Sequence, residues 1–228
     1  MKVINLREYT KKQSTYIKLI AIITMFLDHL GLMIYPELTI YRIVGRIAFP
    51  LFAFQLGIGY IHTQNKIQHI IKVLIFALLI QSAYIVAEIF FDIQKNYYIL
   101  NIFFTLFFGL LLIYLYDKRK NVLLFIVLLI PVLLELLFKV KFDYGLYGIA
   151  LIFIMYIFNK NTVLFLIAML MLLLANCIIE NNYLQLFSLF TLLFILMPIE
   201  FNIKIPNNIF YIFYPLHLIF LYMLQQFI

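Results

Sequence analysis

Long apolar runs, separated by short polar segments, occupy nearly the whole chain after its first 16 residues. They do not alternate apolar and polar residues with a period of two, so they predict helices rather than the strands of an outer-membrane barrel. A membrane-spanning helix needs about 20 mostly apolar residues. On that measure nine stretches are predicted to be transmembrane helices: residues 17–35, 43–61, 70–91, 99–116, 122–139, 145–158, 162–179, 183–199 and 209–227.

Composition supports the same fold class. Hydrophobic residues make up 66% of the 228 and charged residues 12%, whereas soluble domains have roughly 45–50% apolar and about 25% charged residues. The sequence therefore predicts an all-α integral membrane protein, a polytopic helical bundle forming one domain over residues 1–228. The single cysteine, Cys177, allows no internal disulfide and offers no metal cluster, so neither a disulfide nor a metal is expected.

The basic residues predict an orientation in the membrane. The net charge of +7 sits mainly in short loops, so it indicates topology rather than a nucleic-acid partner. With nine spans, twelve lysines and arginines fall on the N-terminal side and four on the other. Cytoplasmic loops carry the excess of these residues. We therefore expect a multi-pass protein of the cell membrane with its N-terminus in the cytoplasm and its C-terminus outside.

Ionisable residues within the first two spans are the strongest candidates for function. A charged group at membrane depth costs at least a few kcal/mol, so it needs partners and is a functional candidate by default. His29 is the best candidate for general acid/base work, because imidazole titrates near neutrality. Its neighbour Asp28 is expected to pair with Arg42, Arg46 or Lys18. The alternative is that this polar cluster only holds two helices together.

Other polar residues are weaker candidates and keep a structural alternative. Arg46 could bind a carboxylate or phosphate through its planar fork, or only lock the first helix to the second. His217 lies beside Pro215 and could form a pocket wall or be a hydrogen-bonded core residue. Asp143 is expected to cap the sixth span, as a plain turn or as an elbow over the site. Asn101 could hydrogen-bond inside the bundle.

Short motifs in the same order along the chain resemble the TraX family. They cover nearly the whole sequence, and the one in the first two helices is the most specific. They are Met25-x-x-Asp28-His29, Gly45-Arg46-x-Ala48-Phe49-Pro50-Leu51-Phe52-Ala53, Gln81-Ser82-x-Tyr84, Asn101-Ile-Phe-Phe-Thr105, Asp143-Tyr-Gly-x-Tyr-Gly148 and Tyr214-Pro-x-His217-Leu.

The resemblance implies an enzyme. TraX-like proteins are known as acetylases of the conjugative pilus subunit, acting on its N-terminal amine. They look related to larger membrane acyltransferases, such as the lysosomal heparan glucosaminide acetyltransferase, which use cytoplasmic acetyl-CoA. The resemblance thus implies an acetyl-CoA-dependent acyltransferase, more an N- than an O-acetyltransferase, in the lipid bilayer. The acceptor would be a small secreted peptide, a pilin-like subunit or a glycan.

The same resemblance suggests roles for individual residues. His29 would be the catalytic base, with Asp28 and Arg46 supporting it. The residues expected to surround them or to bind substrate are Arg42, Asn101, Asp143, His217, Tyr214 and Lys18.

Two other classes of function remain open from sequence. A small-solute or proton-coupled transporter could use Asp28, His29, Arg46 and Glu88 as a relay. Against it, the chain has no detectable internal repeat and few helix pairs broken by Gly or Pro. A non-enzymatic assembly factor would need the ionisable cluster only to join helices. Replacement of His29 separates these classes, because only the enzyme predicts loss of acetylation without loss of folding.

Overall fold

The protein is described by a computed structural model covering residues 8–91, 98–197, 199–200, 202 and 209–227, without the side chains of 87–91 and 210. The described chain is mainly helical. The helices are α1 Lys11–Met33, α2 Thr39–Gly45, α3 Ala48–His62, α4 Lys66–Phe91, α5 Ile102–Asp117, α6 Asn121–Phe138, α7 Gly145–Ile157, α8 Thr162–Ile179, α9 Thr191–Leu196 and α10 Ile209–Gln225. A 3₁₀ helix, Tyr183–Phe190, precedes α9, and two short strands, β1 Ile99–Leu100 and β2 Lys141–Phe142, precede α5 and α7.

Five stretches of this described chain are long and apolar enough to cross a membrane. They are α1, α2 together with α3, α4 as far as Val86, α6 and α8. The other apolar helices are α5, α7, the 3₁₀ helix with α9, and α10 from Tyr211, and each has 10–17 residues. The all-α membrane architecture is therefore confirmed. The predicted count of nine spanning helices is not, because these four are shorter than the hydrocarbon core requires of a straight helix.

The second predicted span, residues 43–61, is interrupted between α2 and α3 at Arg46 and Ile47. Pro50 accounts for the interruption, because it has no N–H to donate to the carbonyl of Arg46 four residues earlier. The carbonyl of Ile47 accepts a hydrogen bond from the Thr191 hydroxyl at 3.3 Å. The interruption places Arg46 at the junction of two helices, where its side chain reaches the interior of the bundle.

The segment formed by α2 and α3 is the most enclosed of the five long stretches. Of its spanning window 72% is buried, against 11–33% in the other four. Phe49, Leu51 and Phe54 of α3 are at most 1% exposed, and α3 packs on α1, α5 and α7. Membrane helices associate by close packing and internal hydrogen bonds rather than by the hydrophobic effect. The bundle is therefore organised around α3, and a side chain at its N-terminal end is well placed for a buried site.

Two glycines allow α1 and α2 to approach closely. A Cβ added at Gly31 would lie 2.4 Å from the Cβ of Tyr41, and one added at Gly45 would lie 2.1 Å from Oδ1 of Asp28. Small residues at helix interfaces allow such close approach of membrane helices. Gly45 thus makes room for the carboxylate of Asp28 between the two helices.

We expect Gly45→Ala to destabilise the fold by about 1–3 kcal/mol, the usual range for overpacking a tight site. The added methyl group would also meet the Cβ and Cγ of Asp28, at 2.3 and 2.4 Å, so rotation of that side chain cannot relieve the clash. Thermal unfolding in detergent measures the effect. Gly59→Ala is the matched control, because the nearest atom to its new Cβ is Nε2 of His69 at 3.9 Å. Equal stability of the two variants would contradict the prediction.

The starts of α5 and α7 are held together by backbone pairing. Strands β1 and β2 pair in parallel, with Ile99 opposite Lys141. Asn101 then caps α5, since its Oδ1 accepts from the N–H of Phe103 at 3.0 Å. Its Nδ2 donates to the carbonyl of Ala77 in α4 at 2.9 Å. The amide of Asn101 therefore locks α4 to α5.

The expectation that Asp143 caps the sixth span is wrong. Tyr144 occupies the cap position of α7 with a φ of 60°, and no side chain makes a capping hydrogen bond there. Gly145 also has a positive φ, +48°, so two successive left-handed residues turn the chain into α7. Asp143 is instead anchored through its backbone: its N–H donates to the carbonyl of Leu100 at 3.0 Å, and its carbonyl accepts from the hydroxyl of Thr105.

Candidate active site

A buried carboxylate between two arginines forms one half of the site. Oδ1 of Asp28 lies 2.9 Å from Nη2 of Arg46, and Oδ2 lies 3.0 Å from Nη1 of Arg42. The side chains of Asp28 and Arg46 are 11% and 10% exposed, while that of Arg42 is 27% exposed. The pairing expected from the sequence is therefore present with both arginines. It joins α1 to α2 and to the α2–α3 junction.

The hydrogen-bonding nitrogens of Arg46 are all engaged. Its Nε donates to the carbonyl of Arg42 at 3.2 Å, and Nη1 donates to Oε1 of Gln185 at 3.4 Å. The amide of Gln185 in turn donates to the hydroxyl of Tyr147 in α7 at 3.3 Å. Gln185 was missed by the sequence reasoning. Its only signal was a polar amide within the apolar stretch 183–199.

Two histidines from opposite ends of the chain form the other half of the site. Nε2 of His217 in α10 lies 3.2 Å from Nδ1 of His29 in α1. Each Nδ1 also contacts the carbonyl one turn earlier on its own helix, at 3.0 Å from Met25 and 2.8 Å from Phe213. The rings meet edge to face with centroids 4.9 Å apart. His217 is 3% exposed, whereas His29 is only partly buried.

Aromatic rings fix the position of His217. It stacks on Phe213 with ring centroids 5.0 Å apart, and Tyr214 meets it edge-on at 5.8 Å. Tyr214 also packs edge-on against Phe103 of α5 at 5.4 Å and shares a side-chain hydrogen bond with Tyr84 of α4. The motif residue Tyr214 thus connects the histidine pair with two further helices.

Asp143 lies near the arginine–aspartate cluster without a direct ion pair. Within the described chain no cationic nitrogen lies within 4.0 Å of its carboxyl oxygens, whereas electrostatic interactions reach it from Asp28 and Arg46. Burial raises the pKa of the Asp143 carboxyl from 3.8 to about 6, and the nearby negative charge of Asp28 raises it further. This carboxyl is therefore easier to protonate near neutral pH than an exposed aspartate.

Two other candidate residues are Lys18 and Asn101. Lys18 is on α1 ten residues before Asp28, which corresponds to about 15 Å along the helix axis, so it is not the partner of that carboxylate. The amide of Asn101 is occupied by its contacts with Phe103, Ala77 and Gln81.

The described residues contain no group of three or more His, Cys, Asp or Glu side chains that could hold a metal ion. The side chain of Glu88, the fourth member of the relay considered for a transporter, lies outside the described residues.

A cleft of about 520 Å³ lies at the opposite end of α3 from Arg46. Tyr60 is 14 residues beyond Arg46, a helical distance of about 21 Å. In the cleft Lys66 donates to backbone carbonyls at the end of α3, including that of Ile61 at 3.0 Å. Nζ of Lys118 lies 5.8 Å from the ring centre of Tyr114. The residues lining the cleft are Tyr60, Gln64, Asn65, Lys66, Ile67, Tyr114, Asp117 and Lys118.

Comparison with known proteins agrees with the resemblance read from the motifs. The family described as TraX protein matches residues 13–225. An uncharacterized protein of Rickettsia prowazekii (strain Madrid E), RP591, is 54% identical over 44 residues, which cover 19% of this chain and 18% of that protein. The matched part of the chain thus spans less than a fifth of that relative. No solved structure matches. Because the family match extends over nearly the whole sequence, the chain belongs to the TraX family.

Proposed function

We propose that this protein is a membrane-embedded acetyltransferase. It moves acetyl from cytoplasmic acetyl-CoA to an amine at the outer side, above all a peptide N-terminus, or to an amine or hydroxyl of a sugar. The observation that carries the proposal is the contact between His29 and the buried His217, beside the ion-paired Asp28. Motif residues of two helices distant in sequence, His29 of α1 and both Tyr214 and His217 of α10, come together at this pair, which supports a shared site.

His29 is the general base of the proposed reaction. Its imidazole nitrogen takes a proton from the acceptor amine as the amine nitrogen attacks the thioester carbonyl carbon. The new C–N bond forms, the C–S bond breaks, and the imidazolium returns the proton to the CoA thiolate. The acetyl group passes directly to the amine nitrogen, so no covalent acyl-enzyme forms, and the amine proton ends on the CoA thiol. Asp28 and Arg46 support His29 by holding α1 against the α2–α3 junction, which keeps the imidazole in place.

The cleft at the Tyr60 end of α3 supports binding of acetyl-CoA, the acetyl donor. Acetyl-CoA is elongated, with its phosphates at one end and its thioester at the other, so it needs a basic mouth well separated from the reacting group. Lys66 and Lys118 supply positive charge at the cleft. They belong to the loops that the distribution of basic residues assigns to the cytoplasm. Lys118 is the better phosphate ligand, because the ammonium of Lys66 is already engaged by backbone carbonyls.

The experiment uses the full chain purified into lipid nanodiscs. Release of free CoA and acetylation of a panel of peptide N-termini and amino sugars are followed by thiol assay and mass spectrometry. The proposal expects acceptor-dependent CoA release and a rise in melting temperature with acetyl-CoA, because a ligand that binds the native state stabilises it. Absence of both turnover and acetyl-CoA-dependent stabilisation would contradict the proposal and favour the transporter class.

A further inference from the structure

The hydrogen bonds of the two histidines determine where their protons lie. A carbonyl oxygen can only accept, so the contacts of His29 with Met25 and of His217 with Phe213, at 3.0 and 2.8 Å, require a hydrogen on both Nδ1 atoms. In a neutral imidazole the other nitrogen then carries a lone pair. Nε2 of His217 is therefore an acceptor, and the donor 3.2 Å away is the Nδ1–H of His29.

This arrangement makes the two histidines unequal. Both nitrogens of His217 are occupied, one by Phe213 and one by His29, and its ring is packed against Phe213 and Tyr214. Nε2 of His29 has a lone pair and no hydrogen-bond partner in the part of the chain that the structure describes. His29 is also the more exposed of the two. Only His29 can present a basic nitrogen to a substrate.

We propose that His217 is a positioning residue for His29. The expected effect on turnover rests on the proposed function, whereas the orientation and tautomer of the His29 ring do not. His217 stays neutral and accepts the Nδ1–H of His29, sharing that hydrogen with the carbonyl of Met25. This fixes the ring of His29 and the tautomer whose Nε2 is basic, as the aspartate of a serine-protease triad does for its histidine without taking the proton. When Nε2 of His29 takes a proton from the acceptor, Nδ1 keeps its hydrogen and His217 stabilises the imidazolium as an acceptor.

Substitutions that retain or remove the acceptor test this role. In His217→Gln the side-chain carbonyl can still accept from His29 but does not take up a proton, whereas His217→Leu fills the space without an acceptor. We expect His217→Leu to lower kcat about 100-fold, the lower end of the range for acid–base effects, with an unchanged KM for acetyl-CoA. We expect kcat of His217→Gln to be at least about tenfold higher than kcat of His217→Leu.

His62→Gln is the matched control, because His62 is exposed at the end of α3, far from the pair. It should leave kcat and melting temperature unchanged. Equal losses in His217→Gln and His217→Leu would overturn the positioning role, since they would mean that His217 must itself take a proton. A rise in the KM for acetyl-CoA with unchanged kcat in His217→Leu would also overturn it, because it would indicate a binding role.

A spectroscopic measurement separates this inference from the proposed function. The chain has four histidines, so ring ¹⁵N labelling gives four pairs of signals, which single substitutions assign. The inference expects His29 and His217 to carry their protons on Nδ1 at neutral pH. A proton on Nε2 in either ring would overturn it. This result does not depend on turnover, so an enzyme assay that fails would refute the acetyltransferase while leaving the tautomers to be decided independently.

Discussion

Replacing Asp28 by asparagine is expected to lower the free energy of unfolding by about 3–5 kcal/mol, the usual cost of removing one partner of a buried ion pair. The substitution keeps the size of the side chain but leaves the guanidiniums of Arg42 and Arg46 without the carboxylate between them. Two positive charges would then face a neutral amide at low solvent exposure. The cost is electrostatic rather than steric, because the space made by Gly45 is still filled.

Reversible unfolding in mixed micelles measures this effect. The matched control is Glu135→Gln, since Glu135 pairs with Lys141 at 3.8 Å with both side chains at least 50% exposed. Exposed pairs contribute about 0–1 kcal/mol, so this variant should unfold almost as the wild type does. If Asp28→Asn costs no more than Glu135→Gln, the cluster is not the buried link between α1 and α2 that its geometry indicates.

Replacing His29 by glutamine is expected to reduce acetyl transfer by about 10²–10⁴-fold, the range for loss of a general base. Glutamine fills a similar space and its amide can still donate to Met25 or His217, so the fold should change little. A hydrogen bond of this kind contributes about 0.5–1.5 kcal/mol. The measurement is kcat with acetyl-CoA and the best acceptor, together with the melting temperature.

Substitutions of the neighbours Asp28 and His29 are thus expected to have opposite effects on stability and activity. Asp28→Asn is expected to lose stability first and activity as a consequence, whereas His29→Gln should lose activity at nearly unchanged stability. His62→Gln again serves as the control for a histidine outside the site. If His29→Gln retained wild-type turnover, His29 would not be the base. If it unfolded as Asp28→Asn is expected to do, the polar cluster would serve only to hold the helices together.

The local sequence determined the class of the protein and the positions of its helices. Long apolar runs in a medium without water must satisfy their backbone groups internally, which leaves helices as the solution. The same reasoning identified Asp28 and His29 as ionisable residues at membrane depth and predicted that Asp28 pairs with a cation. In the structure Arg42 and Arg46 are its partners. The interruption at Arg46 also has a local cause, because Pro50 has no N–H to donate to the carbonyl four residues earlier.

Span lengths were less well determined by sequence. The predicted span at 99–116 loses its first residues to other structure, because α5 begins only after β1 and its cap Asn101. The predicted span at 145–158 begins where α7 begins, at Gly145, but α7 has only 13 residues. Hydropathy averages over a window, so it does not register where a short strand pairing or a turn replaces the first helical turn. The apolar pattern thus located these helices, while in the described chain five stretches are long and apolar enough to cross a membrane and the predicted count of nine is not confirmed.

The partners of the site residues were decided by the tertiary structure alone. His29 and His217 are separated by 188 residues, and no local spacing indicates that α10 packs beside α1. Gln185 likewise reaches Arg46 across 139 residues. Such contacts depend on which helix faces approach, which in a membrane is set by small residues and buried polar groups over the whole bundle. The sequence alone therefore determined a helical membrane protein with a polar first helix pair, whereas packing decided that the two histidines meet and which one keeps a free nitrogen.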